Sequence, residues 1–296
     1  MAETGGLRIE FSQFGHFDSF EIYRSTAPMQ ALSLPSPIAT GLKTMYYIDT
    51  NVIEGNTYYY MVRVLRGETA LLSDQVMIRA SDKDDYFSFV TSLNHFDNPM
   101  VDQKALPWAL YGTAQIANDS VFIGGQSLLS PAGATNYANT TVANRVFSFD
   151  SSGKVTVEFF FKKTDETGNA AILSILGVNN NRWTFFTRAG ATPAVCVYDG
   201  TSTFIEVNGK ITINKWHHYA YVKDGTSNKL FIDGKLSANV IRSTSGHLNI
   251  DSRLFVGQNG QSGEPFTGYV DDLRISVGVA RYSSDFDVPS SPHLHG

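Results

Sequence analysis

One cysteine, Cys196, stands in 296 residues, so no disulfide can form within the chain. Its setting, Ala194-Val195-Cys196-Val197-Tyr198, reads as a strand, where a thiol is a small packed hydrophobe and not a nucleophile. Positive charge is not in excess either: 23 Lys and Arg face 28 Asp and Glu, a net charge of −5. Whole-chain attraction to nucleic-acid phosphates or to anionic lipid is thereby excluded, and neither nucleic acid nor membrane is expected as a partner. No apolar run approaches the roughly 18 residues of a membrane helix. The opening Met1-Ala2-Glu3-Thr4-Gly5-Gly6 lacks the basic-then-apolar start of a secretory signal, so the expectation is a protein made in a cytoplasm without such a signal. No helical period is sustained for three turns, and no repeat of solenoid type is present.

Aromatic residues and turn formers fill the space those absences leave, with 20 Phe, 14 Tyr and 25 Gly. Strand patterns run over Leu7 to Phe11, Ser19 to Tyr23, Met45 to Asp49, Tyr58 to Leu65 and Gln75 to Arg79, with Pro28, Pro35, Pro37, Gly41, Gly55 and Gly67 between them. Further on, Val155, Val157, Phe159 and Phe161 share one strand face, while Phe160 sits with Thr156, Glu158 and Lys162 on a face expected to be uncovered. Trp216, His218, Ala220 and Val222 alternate with His217, Tyr219 and Tyr221, and Trp216 reads as a core residue. Hairpin turns are expected at Asp224 to Asn228 and at Asp233-Gly234. The fold class is therefore all-β.

Several words in fixed order carry a resemblance. Leu93-Asn94-His95-Phe96-Asp97, Phe122-Ile123-Gly124-Gly125-Gln126-Ser127-Leu128 (expected as a strand), Leu230-Phe231-Ile232-Asp233-Gly234-Lys235-Leu236, Leu254-Phe255-Val256-Gly257 and Gly268 to Ile275 resemble the laminin G-like, concanavalin A-like jelly-roll domains. Phe20 to Ser25, Tyr47 to Thr50 and Gly55 to Val62 resemble a fibronectin type III β-sandwich. The organisation expected is a fibronectin III-like domain over residues 1–81, a charged linker at 82–85, a jelly roll at 86–289 and a flexible tail at 290–296. Asp272 to Pro289 is similar to the ending of laminin G-like proteins of bacteriophage tails and appendages. That resemblance implies a non-catalytic virion protein, made in the host cytoplasm, whose partners are other virion proteins and a host-surface glycan. Homo-oligomerisation is left open. The alternatives are a joining or decoration protein without a glycan ligand, a bacterial carbohydrate-binding module or adhesin, and a hydrolase.

Hydrolases need two carboxylates about 5–10 Å apart across the scissile bond, and no same-strand word of the Glu-x-Asp-x-x-Glu kind occurs. Asp271 and Asp272 are adjacent and, in a regular strand, point to opposite faces, as do His217 and His218, so neither pair is expected to act on one substrate or metal ion. Trp183, after the polar run Gly177-Val178-Asn179-Asn180-Asn181-Arg182, is a candidate ring for stacking on a sugar, with Arg182 and Tyr198 as companions. Calcium is the cofactor the laminin G resemblance implies, with Asp97 and Asp272 as its candidate ligands if the first and last strands pair.

Overall fold

The computed structural model describes residues 2–3, 6–53, 56–80, 84–141, 147–166, 168–177, 182–189, 193–244, 246–247, 252–261, 263–289 and 292–294. They form strands and turns with one 3-10 turn at Phe87–Phe89, and no helix among them is long and apolar enough to cross a membrane. The chain divides into two compact units, Met1–Asp84 and Asp85–Gly296. Residue 81 and residues 82 and 83 of the expected linker lie outside the described residues.

In the first unit the strands are β1 (Ala2–Glu3), β2 (Gly6–Glu10), β3 (Ser19–Ser25), β4 (Ala39–Leu42), β5 (Tyr46–Asp49), β6 (Thr57–Arg66), β7 (Thr69–Leu72) and β8 (Val76–Arg79). A three-stranded sheet β1-β2-β5 and a sheet β4-β3-β6-β7, with β8 also on β6, enclose Leu7, Ile9, Ile22, Tyr58 and Tyr60. The alternation of β6 puts Tyr58 and Tyr60 inward, and the Tyr60 hydroxyl donates to buried Asp49 at 2.8 Å, so the ring is buried without stranding its polar tip.

In the second unit the strands are β9 (Val90–Asn94), β10 (Trp108–Tyr111), β11 (Gln115–Ala117), β12 (Ser127–Ser130), β13 (Tyr137–Thr140), β14 (Ser148–Phe149), β15 (Lys154–Lys163), β16 (Ala170–Leu176), β17 (Arg182–Arg188), β18 (Ala194–Tyr198), β19 (Thr203–Asn208), β20 (His217–Asp224), β21 (Ser227–Ile232), β22 (Lys235–Ile241), β23 (Gly246–His247), β24 (Arg253–Val256) and β25 (Gly268–Val277). Seven strands pair as β10-β13-β24-β16-β17-β18-β19; an eight-stranded sheet runs β11-β12-β25-β15-β20-β21-β22, with β9 on β25. Their inner faces share one core, to which Val155, Val157, Phe159, Phe161, Tyr219 and Tyr221 come from the second sheet and Trp183, Phe185, Val195 and Val197 from the first. Two facing sheets with this alternation are the jelly-roll sandwich the sequence words imply.

Both faces of β15 and β20 are covered, contrary to the expectation of an open face. Thr156, Glu158 and Phe160 are fully buried, because the segment after β25 folds back over the sheet. Ala280, Tyr282 and Phe286 pack there on Ala220, Val222 and Phe231, and the Tyr282 and Phe286 rings stack at 3.6 Å. This strap crosses the β21–β22 turn at Gly234, where a Cβ would sit 2.1 Å from the Phe286 carbonyl oxygen and where φ is +71°; both conditions require glycine. The expected tail is likewise corrected. His293 is 2% exposed, held by its backbone N–H to Asp272 Oδ2 at 2.9 Å, while 290, 291, 295 and 296 lie outside the described residues.

Three further expectations change. Residues 122–126 are a turn, with β12 starting at Ser127. Trp216 precedes β20 and is half-buried against Phe122 and Tyr269, outside the core. In β25 the register to β15 slips between Glu158 and Phe160, and Asp272 takes φ +49°. Such a bulge breaks alternation, so Asp271 and Asp272 both leave the inner face to Leu273.

Candidate functional site

The outer face of the seven-stranded sheet carries the site. Alternation in β17 sends Arg182, Thr184, Phe186 and Arg188 outward, and β18 adds Ala194, Cys196 and Tyr198, with Thr184 opposite Tyr198 and Phe186 opposite Cys196. A pocket of about 170 Å³ opens over them, lined by Asn169, Arg182, Thr184, Phe186, Arg188, Tyr198, Thr203 and Glu264. Thr184 and Phe186 are buried at its base, while Arg182, Arg188, Tyr198 and Glu264 are partly exposed around it as walls. The Arg182 guanidinium lies 5.4 Å from the Tyr198 ring centre and that of Arg188 lies 5.7 Å from Phe186, distances at which a cation is held by a ring face.

Polar groups converge on the same walls. Arg188 pairs with Glu206 and reaches Thr203 Oγ1 at 3.4 Å; Arg182 bonds Gln261 and stands 4.0 Å from Glu264, which accepts from Asn259 Nδ2 at 3.2 Å. Along the same face Tyr111 stacks on Tyr137 at 4.7 Å, and Tyr137 lies 5.8 Å from Phe255. Partly exposed tyrosines beside guanidinium and carboxylate groups able to bond hydroxyls are the side chains a saccharide site uses. Cys196 is fully buried within this face; desolvation, then the Glu206 charge, pushes its thiol up to about 12.

Of the three residues expected to bind sugar, Arg182 and Tyr198 meet here. Trp183 does not. As the neighbour of Arg182 in a strand it points the other way, into the core, 1% exposed and edge-on to Phe147 and Phe149. Residues 178–181 of the run before it lie outside the described residues. Sequence reading missed Phe186 and Arg188, although the alternation of Arg182-Trp183-Thr184-Phe185-Phe186-Thr187-Arg188 signals them; Asn169, Thr203, Glu206 and Glu264 come from other segments, and no local pattern joins them.

Residues 132–280 match the family described as the concanavalin A-like lectin/glucanases superfamily. The chain belongs to that family. No curated protein matches the sequence. Among solved structures, domain 4 of AbnA, an extracellular GH43 arabinanase of Geobacillus stearothermophilus in complex with arabinotriose, is 17% identical with a TM-score of 0.50, over 64% of this chain and 93% of that one. The botulinum neurotoxin serotype D binding domain is 15% identical with a TM-score of 0.50, over 68% of this chain and 51% of that one. The binding domain of Paraclostridial Mosquitocidal Protein 1 is 12% identical with the same TM-score, over 67% and 51%. The chain thus spans about half the length of the toxin domains it matches. At these identities the likeness is one of fold.

The calcium expected from the laminin G resemblance fits the corner where β9 meets β25, through different residues. The strands pair as required, Leu273 opposite Asn94. Asp272, however, is fully engaged, with Oδ1 2.6 Å from His95 Nδ1 and Oδ2 on the His293 amide. Asp97 accepts from the Gly125 N–H at 3.3 Å. Asp271 turns to that same 122–125 turn. Its Oδ2 accepts from the Phe122 and Ile123 N–H groups at 3.2 and 3.1 Å, and its buried Oδ1 has no hydrogen-bond partner. Desolvation, with the charges of Asp272 and Asp97 adding to it, raises the Asp271 carboxyl to about 8. An orphaned carboxylate oxygen near a second carboxylate is a hard-cation donor set, so Asp97 and Asp271, and not Asp272, would hold the ion.

Proposed function

We propose that the second unit recognises carbohydrate on the outer face of its seven-stranded sheet and does not cleave it. The observation that carries this is the convergence of Tyr198, Phe186, Arg182, Arg188 and Glu264 around one open pocket. Binding is favoured over hydrolysis because the outward positions described on β16 to β18 hold Ala171, Ser174, Leu176, Arg182, Thr184, Phe186, Arg188, Ala194, Cys196 and Tyr198, none of them a carboxylate, and Glu264 at the pocket wall is engaged by Asn259 Nδ2 and stands 4.0 Å from Arg182. Glu206 is tied to Arg188 instead of standing free across a bond to be cut. Arabinotriose in the complex of one fold neighbour, domain 4 of the arabinanase, agrees with a saccharide ligand.

The wider reading is a virion appendage protein, supported by the Asp272 to Pro289 words, with a fibronectin III-like first unit, supported by its pair of three- and five-stranded sheets. The joining role has its own support in the first unit, where Leu71, Val76 and Met77 are more than half exposed on β7 and beside it on β8. Bead-displayed protein on a glycan array separates the two. Binding to a defined glycan class is expected for recognition, since many linked weak sites give usable avidity; a blank array with capture by particle proteins alone would favour joining.

A further inference from the structure

Beneath the C-terminal strap, on the opposite sheet from the sugar pocket, three side chains from distant segments meet in a fully enclosed space. Glu158 comes from β15, His218 from β20 and His293 from the strap, all 2% exposed or less. One ligand atom from each lies within 4.8 Å of the others. His293 Nε2 is 3.3 Å and His218 Nε2 is 3.6 Å from Glu158 Oε2. Ligands held at about 2.0–2.1 Å around a tetrahedral ion are about 3.3 Å from one another, so two of the three edges already have the required length. Both nitrogens of His218 and both of His293 are buried without a well-formed hydrogen bond, a costly state that a ligand would relieve.

We propose that Glu158, His218 and His293 form a binding site for a borderline divalent transition metal ion such as zinc, which clips the strap to the sheet. The donor chemistry favours zinc over calcium, since imidazole nitrogens suit the former and hard oxygen sets the latter. The surrounding residues orient the ligands. Asp272 Oδ2 abuts His293 Nδ1, which leaves Nε2 to face the ion in the manner of a carboxylate–histidine–metal triad. Arg274 takes the other oxygen of Glu158, with Nη2 2.8 Å and Nε 2.9 Å from Oε1, which leaves Oε2 to face the two imidazoles. The Tyr282 hydroxyl donates to that Oε2 at 2.7 Å and so orients it as a ligand, and water would complete the ion's coordination. Arg274 also opposes a dication, so the site is expected to be weaker than a dedicated structural zinc site. One ligand rides on the strap, so the site is complete only when the strap is docked, and binding is coupled to that closure.

The test uses the full chain, stripped with chelator, in excess calcium so that the Asp97–Asp271 corner is saturated. Zinc uptake is read by calorimetry and elemental analysis, and cobalt is added as a spectroscopic probe. One zinc per chain with a Kd on the order of micromolar, a rise in Tm, and the intense visible bands of a low-coordinate cobalt site are expected. His218→Gln and His293→Gln should each weaken uptake at least about tenfold. No uptake by the folded wild type, or unchanged uptake in both variants, overturns the proposal. If the variants do not fold, the wild-type cobalt spectrum decides: only the faint bands of an octahedral oxygen site would also overturn it.

Discussion

At the residue scale, two tryptophans exchange the roles that their neighbours in sequence imply. Trp183 follows a polar run but is the hub of an aromatic core, within 5.4–5.8 Å of Phe147, Phe149, Phe204 and Tyr221. Trp183→Ala is therefore expected to lower stability by about 3–5 kcal/mol, the cost of a large cavity, whereas Trp216→Ala, from a half-buried ring, is expected to cost about 1 kcal/mol. Denaturant unfolding of the two variants checks the ranking; a more costly Trp216 change would contradict it. Cys196 makes a second residue-level prediction. A thiol with a folded value of about 12 against an ordinary 9.0 keeps its proton in the fold. Its contribution to stability is fully present below pH 9 and declines as pH rises toward 12. A thiol reagent at pH 8 should label the native protein slowly and the unfolded protein at once; fast native labelling would show the face to be open.

At the element scale, β25 and the strap explain why the sequence words identify the fold but not the ligand. Asp271 holds the 122–123 turn, Asp272 holds His95 and His293, Arg274 and Tyr282 hold Glu158, and Arg281 bonds Ser276 Oγ. Each member of that word secures a joint on the side away from the pocket of the seven-stranded sheet. What hid the rest was local irregularity. The bulge at Asp272 defeats a period-two reading of the two carboxylates, and His293, 16 residues beyond β25, cannot be placed against Glu158 from spacing. By contrast the inward face of β15 and that of His217 to Val222 were legible from their alternation, although the strap buries the opposite face as well. If calcium occupies the corner, chelation should lower Tm, and Asp271→Asn should remove the response while Asp272→Asn leaves a calcium response on a weakened strap. Loss of the response only in Asp272→Asn would restore the first assignment.

At the scale of the whole molecule, each unit has its own core, one around Leu7, Ile9, Ile22 and Tyr60 and one between the two jelly-roll sheets. Residues 86–296 expressed alone should therefore unfold in one cooperative transition; aggregation or a gradual melt would count against a separate unit. The two sheets divide the labour of the second unit. The eight-stranded sheet is closed over by the strap, and the outer face of the seven-stranded sheet carries a pocket bounded by rings, guanidinium groups and a carboxylate. Sequence located two of these, Arg182 and Tyr198, because they flank turns; the others come together only through the pairing of β16 to β19. The measurement that bears most directly on the account is binding of bead-displayed wild type, Tyr198→Ala, Arg188→Ala and Arg281→Ala to the same glycan array. Tyr198→Ala and Arg188→Ala should lose binding by about tenfold or more, as expected for a stacking ring and a bidentate donor, while Arg281→Ala, on the strap side, retains it. Equal binding by all four proteins would contradict recognition on the seven-stranded face.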